Sequence, residues 1–283
     1  GQIFAYSILP NGALTKIGQA DAGGTSTCYL TIDKAQKHII ATNYWNSTLT
    51  VIPICPKTGE FKGDIKSVHD PNQGKKVVAA PKKCGGVNHS NNDASTVKQR
   101  QTDPHSHALV LDPFEGCVAY VPDLGKDLIR EILYDQEEGK LMMELAVLPS
   151  GLCTGMPDGP RYIGFHPSFE TAYVVNELSS TIAVFSVDRS RLQDIRHALK
   201  ANEPIENYRN SPSLTLIQSI STLPAAFPSS LNTCGRVCVH PSGRFVVVSN
   251  RGHESITVYR VRQNGCNRGK LNQIGFFHTR GET

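Results

Sequence analysis

The chain has 283 residues, 39% hydrophobic and 19% charged, with 24 Gly, 17 Pro and a formal charge of +4. That balance suits a folded, turn-rich all-β protein with a large core and excludes a disordered chain. No stretch reaches the eighteen or so apolar residues of a membrane span, and the basic residues are dispersed, so neither a membrane nor a nucleic acid is expected as partner.

Residues 3–8 and 13–17, joined by Pro10-Asn11-Gly12, read as the last two strands of a unit that begins before Gly1. From Cys28 onward four segments align without a gap: CYLTIDKAQKHIIATNYWNSTLTV, HALVLDPFEGCVAYVPDLGKDLIR from His107, RYIGFHPSFETAYVVNELSSTIAV from Arg161, and GRVCVHPSGRFVVVSNRGHESITV from Gly235. Asp33, Asp112, His166 and His240 serve as position zero of this repeat. Three places earlier stand Leu30, Leu109, Ile163 and Val237, and one place earlier Ile32, Leu111, Phe165 and Val239, which is the period of a strand with one apolar face. A turn and a second apolar run follow. Leu49, Leu128, Ile182 and Ile256, sixteen places after zero, open a third strand, and 61–68, 141–147, 214–220 and 271–277 supply a fourth.

A four-stranded meander cannot bury both of its faces alone, so the units must stack, and short sheets stacked about an axis make a β-propeller. The expectation is all-β, a single propeller domain over 1–283, with about four and a half blades visible and the chain truncated at both ends. Position zero recurs after 79, 54 and 74 residues. The two long intervals hold inserted loops at about 56–100 and 188–212. The first contains Lys75, Lys76, Lys82 and Lys83 and reads as a solvated loop; the second is charged and reads as helical near 191–200.

The repeat also locates a site. The first two strands of each unit are antiparallel neighbours, so the fifth place before zero and the eleventh after it share one end of the sheet. These places hold Cys28, His107, Arg161 and Gly235, and Tyr44, Asp123, Glu177 and Arg251. With the first strand innermost, they ring one mouth of the channel. His with carboxylate and Arg is what acid/base chemistry on an anion requires, because Arg offers a planar fork and His titrates near neutral pH. His105, two residues before His107, is a second candidate reactive group. Asn43, Asn176 and Asn250 recur ten places after zero as turn caps, His253 lies between rim and site, and His166 and His240 are expected to be structural.

Eight cysteines lack any CxxC pair or zinc-site spacing, and free, mostly buried thiols in a reducing cytoplasm are the simplest reading. There is no GxSxG elbow and no HExxH helix. No metal and no cofactor is expected.

The stretches PHSHALVLDP with VPDLGKDLI, GPRYIGFHP with YVVNELSSTIAVF, and VHPSGRFVVVSNRGHESITVY resemble the seven-bladed propeller lactonases, a family of 6-phosphogluconolactonases and 3-carboxy-cis,cis-muconate lactonizing enzymes. The resemblance implies seven blades, with one and a half missing before Gly1 and one after Thr283. It places the family's catalytic His on His107, its substrate-binding Arg on Arg161 and its carboxylate on Glu177. One departure stands out: Gly235-Arg236-Val237-Cys238 puts a basic residue at the family's acidic place and Cys238 at its basic one, so that Arg236 is the candidate for a second anion-binding group. The leading expectation is hydrolysis of an anionic sugar lactone, with His107 as general base, Arg161 on the anion or oxyanion, and Glu177 orienting or relaying protons. Arg251 and Asp123 join them at the mouth. A muconate cycloisomerase and a non-catalytic binding propeller are the alternatives.

Overall fold

The structure, a computed structural model, describes residues 1–71, 99–152 and 155–281; Lys75, Lys76, Lys82, Lys83, Cys84 and Cys153 lie outside them. β1 (Gln2–Ile8) and β2 (Leu14–Asp21) pair as a hairpin. Four four-stranded sheets follow, each an antiparallel meander in chain order. The first comprises β3 (Thr27–Ile32), β4 (His38–Asn43), β5 (Leu49–Pro53) and β6 (Ser67–His69). The second comprises β7 (Val110–Leu111), β8 (Val118–Asp123), β9 (Leu128–Asp135) and β10 (Lys140–Pro149). The third comprises β11 (Pro160–Phe165), β12 (Thr171–Asn176), β13 (Thr181–Val187) and β14 (Leu214–Ser221). The fourth comprises β15 (Thr233–Val239), β16 (Phe245–Arg251), β17 (Ser255–Val261) and β18 (Leu271–His278). β6 is shorter than the 61–68 expected, because Phe61 makes only an isolated bridge to Ile54.

Strand alternation explains the stacking. In β12, Ala172 and Val174 enter a core with Val118, Tyr120 and Ile129 of the second sheet, whereas Tyr173 and Val175 enter another with Val237, Val246 and Val248 of the fourth. Both faces are buried, so this strand reads as an unbroken apolar run. Each Val or Ile side chain so removed from water stabilises by about 1.5–3 kcal/mol.

Within 188–212 lies helix α1 (Arg189–Ala201). Asp188 caps it by accepting from the Arg191 amide at 3.0 Å, and Asn202, at φ 53°, ends it in the left-handed region. Its buried Leu192, Ile195 and Ala198 pack on the core between the second and third sheets.

The recurring asparagines clip neighbouring sheets together. Nδ2 of Asn43, Asn176 and Asn250 donates to the carbonyls of Ala22, Ser150 and Thr222, at 2.9, 3.1 and 3.0 Å. Each carbonyl directly follows the last strand of the preceding sheet. The zero positions organise the other end: Asp112 accepts five backbone amides, and His166 Nδ1 accepts those of Ser168 and Phe169. His240 Nδ1 likewise accepts the Ser242 amide.

Of the six described cysteines, all free, Cys117 and Cys234 are buried, Cys28 and Cys55 partly so, and Cys238 and Cys266 exposed. The expectation of mostly buried thiols is corrected accordingly. Cys238 lies on the inner strand of the last described sheet, on the side away from Val237 and Val239, which pack toward the third sheet.

Candidate functional site

The inner strand of every full sheet carries one extra residue near its start. Thr27 pairs with Asn43 and Tyr29 with Thr42, so Cys28 has no opposite number; Arg161 is likewise extra between Pro160 and Tyr162. Gly235 and Arg236 face Ser249 alone, and residues 107–109 face only 121 and 122. Such a bulge bends the strand and re-aims side chains. Its effect is visible at Arg161, whose guanidinium lies 4.8 Å from the ring of its own neighbour Tyr162. In a regular strand those two side chains would point apart.

The inner strands converge. The rings of Tyr29 and Tyr162, from the first and third sheets, are 5.5 Å apart. His107 lies 5.2 Å from Tyr162 and 5.4 Å from Tyr44.

Glu177 is the hub of this mouth. Its Oε1 accepts from Arg100 Nη2 at 2.9 Å and lies 3.1 Å from Arg251 Nη2, and its Oε2 lies 2.7 Å from Arg161 Nε. The last contact is a charge contact without hydrogen-bond alignment, because neither atom has a hydrogen-bonding partner. Burial opposes ionisation of Glu177, but the guanidiniums of Arg100, Arg251 and Arg161 outweigh it and hold the carboxyl below its ordinary range. Three guanidiniums around one carboxylate leave the mouth net positive.

His107 is buried, and its Nδ1 has no hydrogen-bond partner. Burial, aided by the Arg161 charge and opposed by Glu177, lowers its pKa to about 4, so the ring is neutral at pH 7. A cavity of about 390 Å3 opens beside it, walled by Thr27, Cys28, Tyr44, Trp45 and Arg100 among others. The Cys28 thiol is pushed up to about 11 by burial and points at backbone carbonyls, so it stays protonated and does not act as a nucleophile. A second cavity of about 390 Å3, at Asp21, Phe61 and Asp64, has an acidic and apolar lining unsuited to an anion.

Other sequence candidates stand apart. Asp123 is fully buried, accepting from the His105 amide at 2.8 Å and from Arg130 at 2.9 and 2.7 Å, and does not reach the cavity. His105 stacks behind Tyr44, ring centroids 4.8 Å apart, with Nδ1 3.2 Å from the Tyr44 carbonyl. It supports Tyr44 rather than joining His107. His253 hydrogen-bonds Ser255 and packs on Phe227, away from Glu177. Arg236 lies on the channel, 5.2 Å from the Tyr162 ring and 5.7 Å from the Tyr29 ring.

Sequence reasoning missed Arg100, which donates to Tyr44 Oη at 2.9 Å as well as to Glu177. Arg100 belongs to an insertion without a repeat equivalent, so no alignment signal could have found it. Tyr29 and Tyr162 were legible, since with Arg236 they occupy one column four places before zero. Among the described residues no group of three His, Cys, Asp or Glu side chains could hold a metal ion, and no helix is long and apolar enough to cross a membrane.

A model of the family described as Lactonase, 7-bladed beta-propeller matches residues 1–283. The 6-phosphogluconolactonase of Bacillus subtilis (strain 168) is 28% identical over 265 residues, covering 93% of this chain and 61% of its own length. That of Yersinia pestis (strain Pestoides F) is 24% identical over 264 residues, covering 93% and 61%. The chain thus spans about three fifths of the length of these curated relatives. Among solved structures, the periplasmic gluconolactonase of Pseudomonas aeruginosa superposes with a TM-score of 0.72 at 20% identity, over 100% of this chain and 66% of that one. A putative 6-phosphogluconolactonase from Bacteroides fragilis gives 0.66 at 21%, over 98% and 64%. At these identities the structural likeness attests the fold alone.

Proposed function

Because the chain belongs to the seven-bladed β-propeller lactonase family, we propose that its protein hydrolyses an anionic sugar lactone of the 6-phosphogluconolactone type. The observation that carries this reading is an uncharged, unpartnered His107 beside a mouth where three guanidiniums surround one carboxylate. His107 takes a proton from water as the water oxygen bonds to the lactone carbonyl carbon. Arg161 and Arg251 face the negative charge that develops on the carbonyl oxygen. Collapse of the tetrahedral adduct breaks the bond between the carbonyl carbon and the ring oxygen. The proton on His107 passes to that oxygen, giving the open hydroxy acid. Glu177 positions the guanidiniums, and no cofactor enters these steps.

A His with a pKa of about 4 is a weak base, but an anion bound beside the ring favours its protonated form and raises its basicity during turnover. A reducing cytoplasm is the proposed place of action, a reading with which the six described cysteines, all free, agree.

The test is the rate of 6-phosphogluconolactone opening with the intact protein and its His107→Ala and Arg161→Ala variants. Acceleration over spontaneous hydrolysis, lost in both folded variants, is expected. Turnover of 3-carboxy-cis,cis-muconate with no effect on any lactone would replace the hydrolase reading by the cycloisomerase one, and binding without turnover would leave a binding propeller.

A further inference from the structure

The Arg236 guanidinium differs from the other cations at the mouth. Arg100, Arg161 and Arg251 all contact Glu177, and Arg161 Nη1 and Arg251 Nη2 also donate to the carbonyls of Gly235 and Cys234, at 2.7 and 3.1 Å. Arg236 is exposed, and among the described residues no carboxylate lies within ion-pair distance of it. What holds it is a pair of tyrosines: the Tyr162 ring from the third sheet at 5.2 Å, and Tyr29 from the first, whose ring lies 5.7 Å away and whose hydroxyl takes one hydrogen bond. Contact with ring faces fixes a guanidinium without consuming its in-plane N–H donors. The result is a positioned cation with N–H donors to spare, one aromatic ring away from His107, since Tyr162 touches both.

We propose that Arg236 anchors the permanent anion of the substrate, a phosphate or carboxylate at the end remote from the lactone carbonyl, while the Glu177 cluster is left for the reacting end. This inference rests on the lactone reading of the mouth and adds a division of labour to it. Tyr29 and Tyr162 are positioning residues for the anchor. They also form an apolar wall that the CH face of a sugar chain can lie against.

Binding of the open acids tests the anchor without requiring turnover. Calorimetry would compare 6-phosphogluconate, glucarate and gluconate, which carry a phosphate, a carboxylate and no charge at the sixth carbon, on the intact protein and on Arg236→Gln. The wild-type protein is expected to bind one of the two terminal anions at least 10-fold more tightly than gluconate, and which one names the substrate's group. Arg236→Gln is expected to lose that preference by about 10- to 100-fold, the range of a charge-assisted hydrogen bond, with gluconate unchanged. Tyr162→Leu, which keeps the charge and removes the ring, is expected to lose part of it. Equal affinities for all three acids in the wild type, or a preference that survives in a folded Arg236→Gln protein, would overturn the anchor. Failure of the lactone reading shows separately, as absent lactone opening with the anion preference intact.

Discussion

Arg161 and Glu177 meet across the bulged pair β11 and β12 with Nε 2.7 Å from Oε2, yet no hydrogen bond accompanies the contact. The guanidinium is turned so that Nη1 reaches the Gly235 carbonyl of the next sheet. One arginine thus ties the third and fourth sheets while keeping its charge beside the carboxylate.

Replacing Glu177 by Gln leaves three clustered guanidiniums without compensation. Breaking a buried ion pair from one side costs about 3–5 kcal/mol, so Glu177→Gln is expected to unfold at lower urea and to lose lactone opening. The pKa of Glu177 is depressed in the folded protein. Its contribution to stability is therefore complete above the ordinary carboxylate range and is lost as pH falls through the folded value. The stability gap between wild type and Glu177→Gln should shrink on acidification; a gap independent of pH would contradict the electrostatic account.

His107 predicts the acid limb of catalysis. In the free enzyme its pKa is about 4, so kcat/KM should stay level from neutral pH down to about 5 and fall near 4. An inflection at 6.5, the value of an ordinary histidine, would mean that another group carries the proton.

Two buried groups pull stability in opposite directions over one pH window. Glu131 accepts from the Ser213 amide at 2.9 and 3.0 Å, and burial, only partly offset by these bonds, raises its pKa to about 7. Between about 4.5 and 7 the folded state holds a proton there that the unfolded state has released, so this contribution falls as pH rises. His107 does the reverse between about 4 and 6.5, where the unfolded state binds the extra proton. Each effect is worth about 3 kcal/mol at full extent. Relative to wild type, Glu131→Gln should gain stability with rising pH and His107→Asn should lose it, as read from urea midpoints at pH 5 and 7. Slopes of one sign in both variants would refute the assignment.

The blades were legible because stacking buries both faces of the second strands β8 and β12, and one face of β16, which forces a gapless repeat of apolar residues. His107, Arg161, Glu177 and Arg251 could be brought together from two columns of that repeat. The bulge could not be foreseen. It puts Arg161 on the same side as Tyr162, which is why Tyr29 and Tyr162 were passed over although they share a column with Arg236. Asp123 misled for a related reason. In the second sheet the asparagine column holds Pro122, which has no side-chain donor, and the adjacent carboxylate turns inward to hold the His105 amide and Arg130.

The asparagine clips predict an ordered pair of stability losses. Asn176 donates to the Ser150 carbonyl and Thr181 Oγ1, while its own Oδ1 is buried without a partner. Asn250 donates to the Thr222 carbonyl, Ser255 Oγ and Thr257 Oγ1, and its Oδ1 also accepts from Thr222 Oγ1 at 2.8 Å. Removing Asn176 strands the Ser150 carbonyl, at about 1–3 kcal/mol, whereas the Thr222 carbonyl keeps the Thr257 hydroxyl at 2.6 Å when Asn250 is removed. Asn250→Ala breaks more hydrogen bonds, those accepted by Oδ1 included, so it should cost more than Asn176→Ala even though the Thr222 hydroxyl keeps the Ser180 carbonyl as acceptor. Both losses should appear in the urea midpoint, since the clips join sheets and are absent from the unfolded chain. An Asn176→Ala protein less stable than Asn250→Ala would show that the shared carbonyl contact, rather than the number of satisfied groups, sets the strength of the clip.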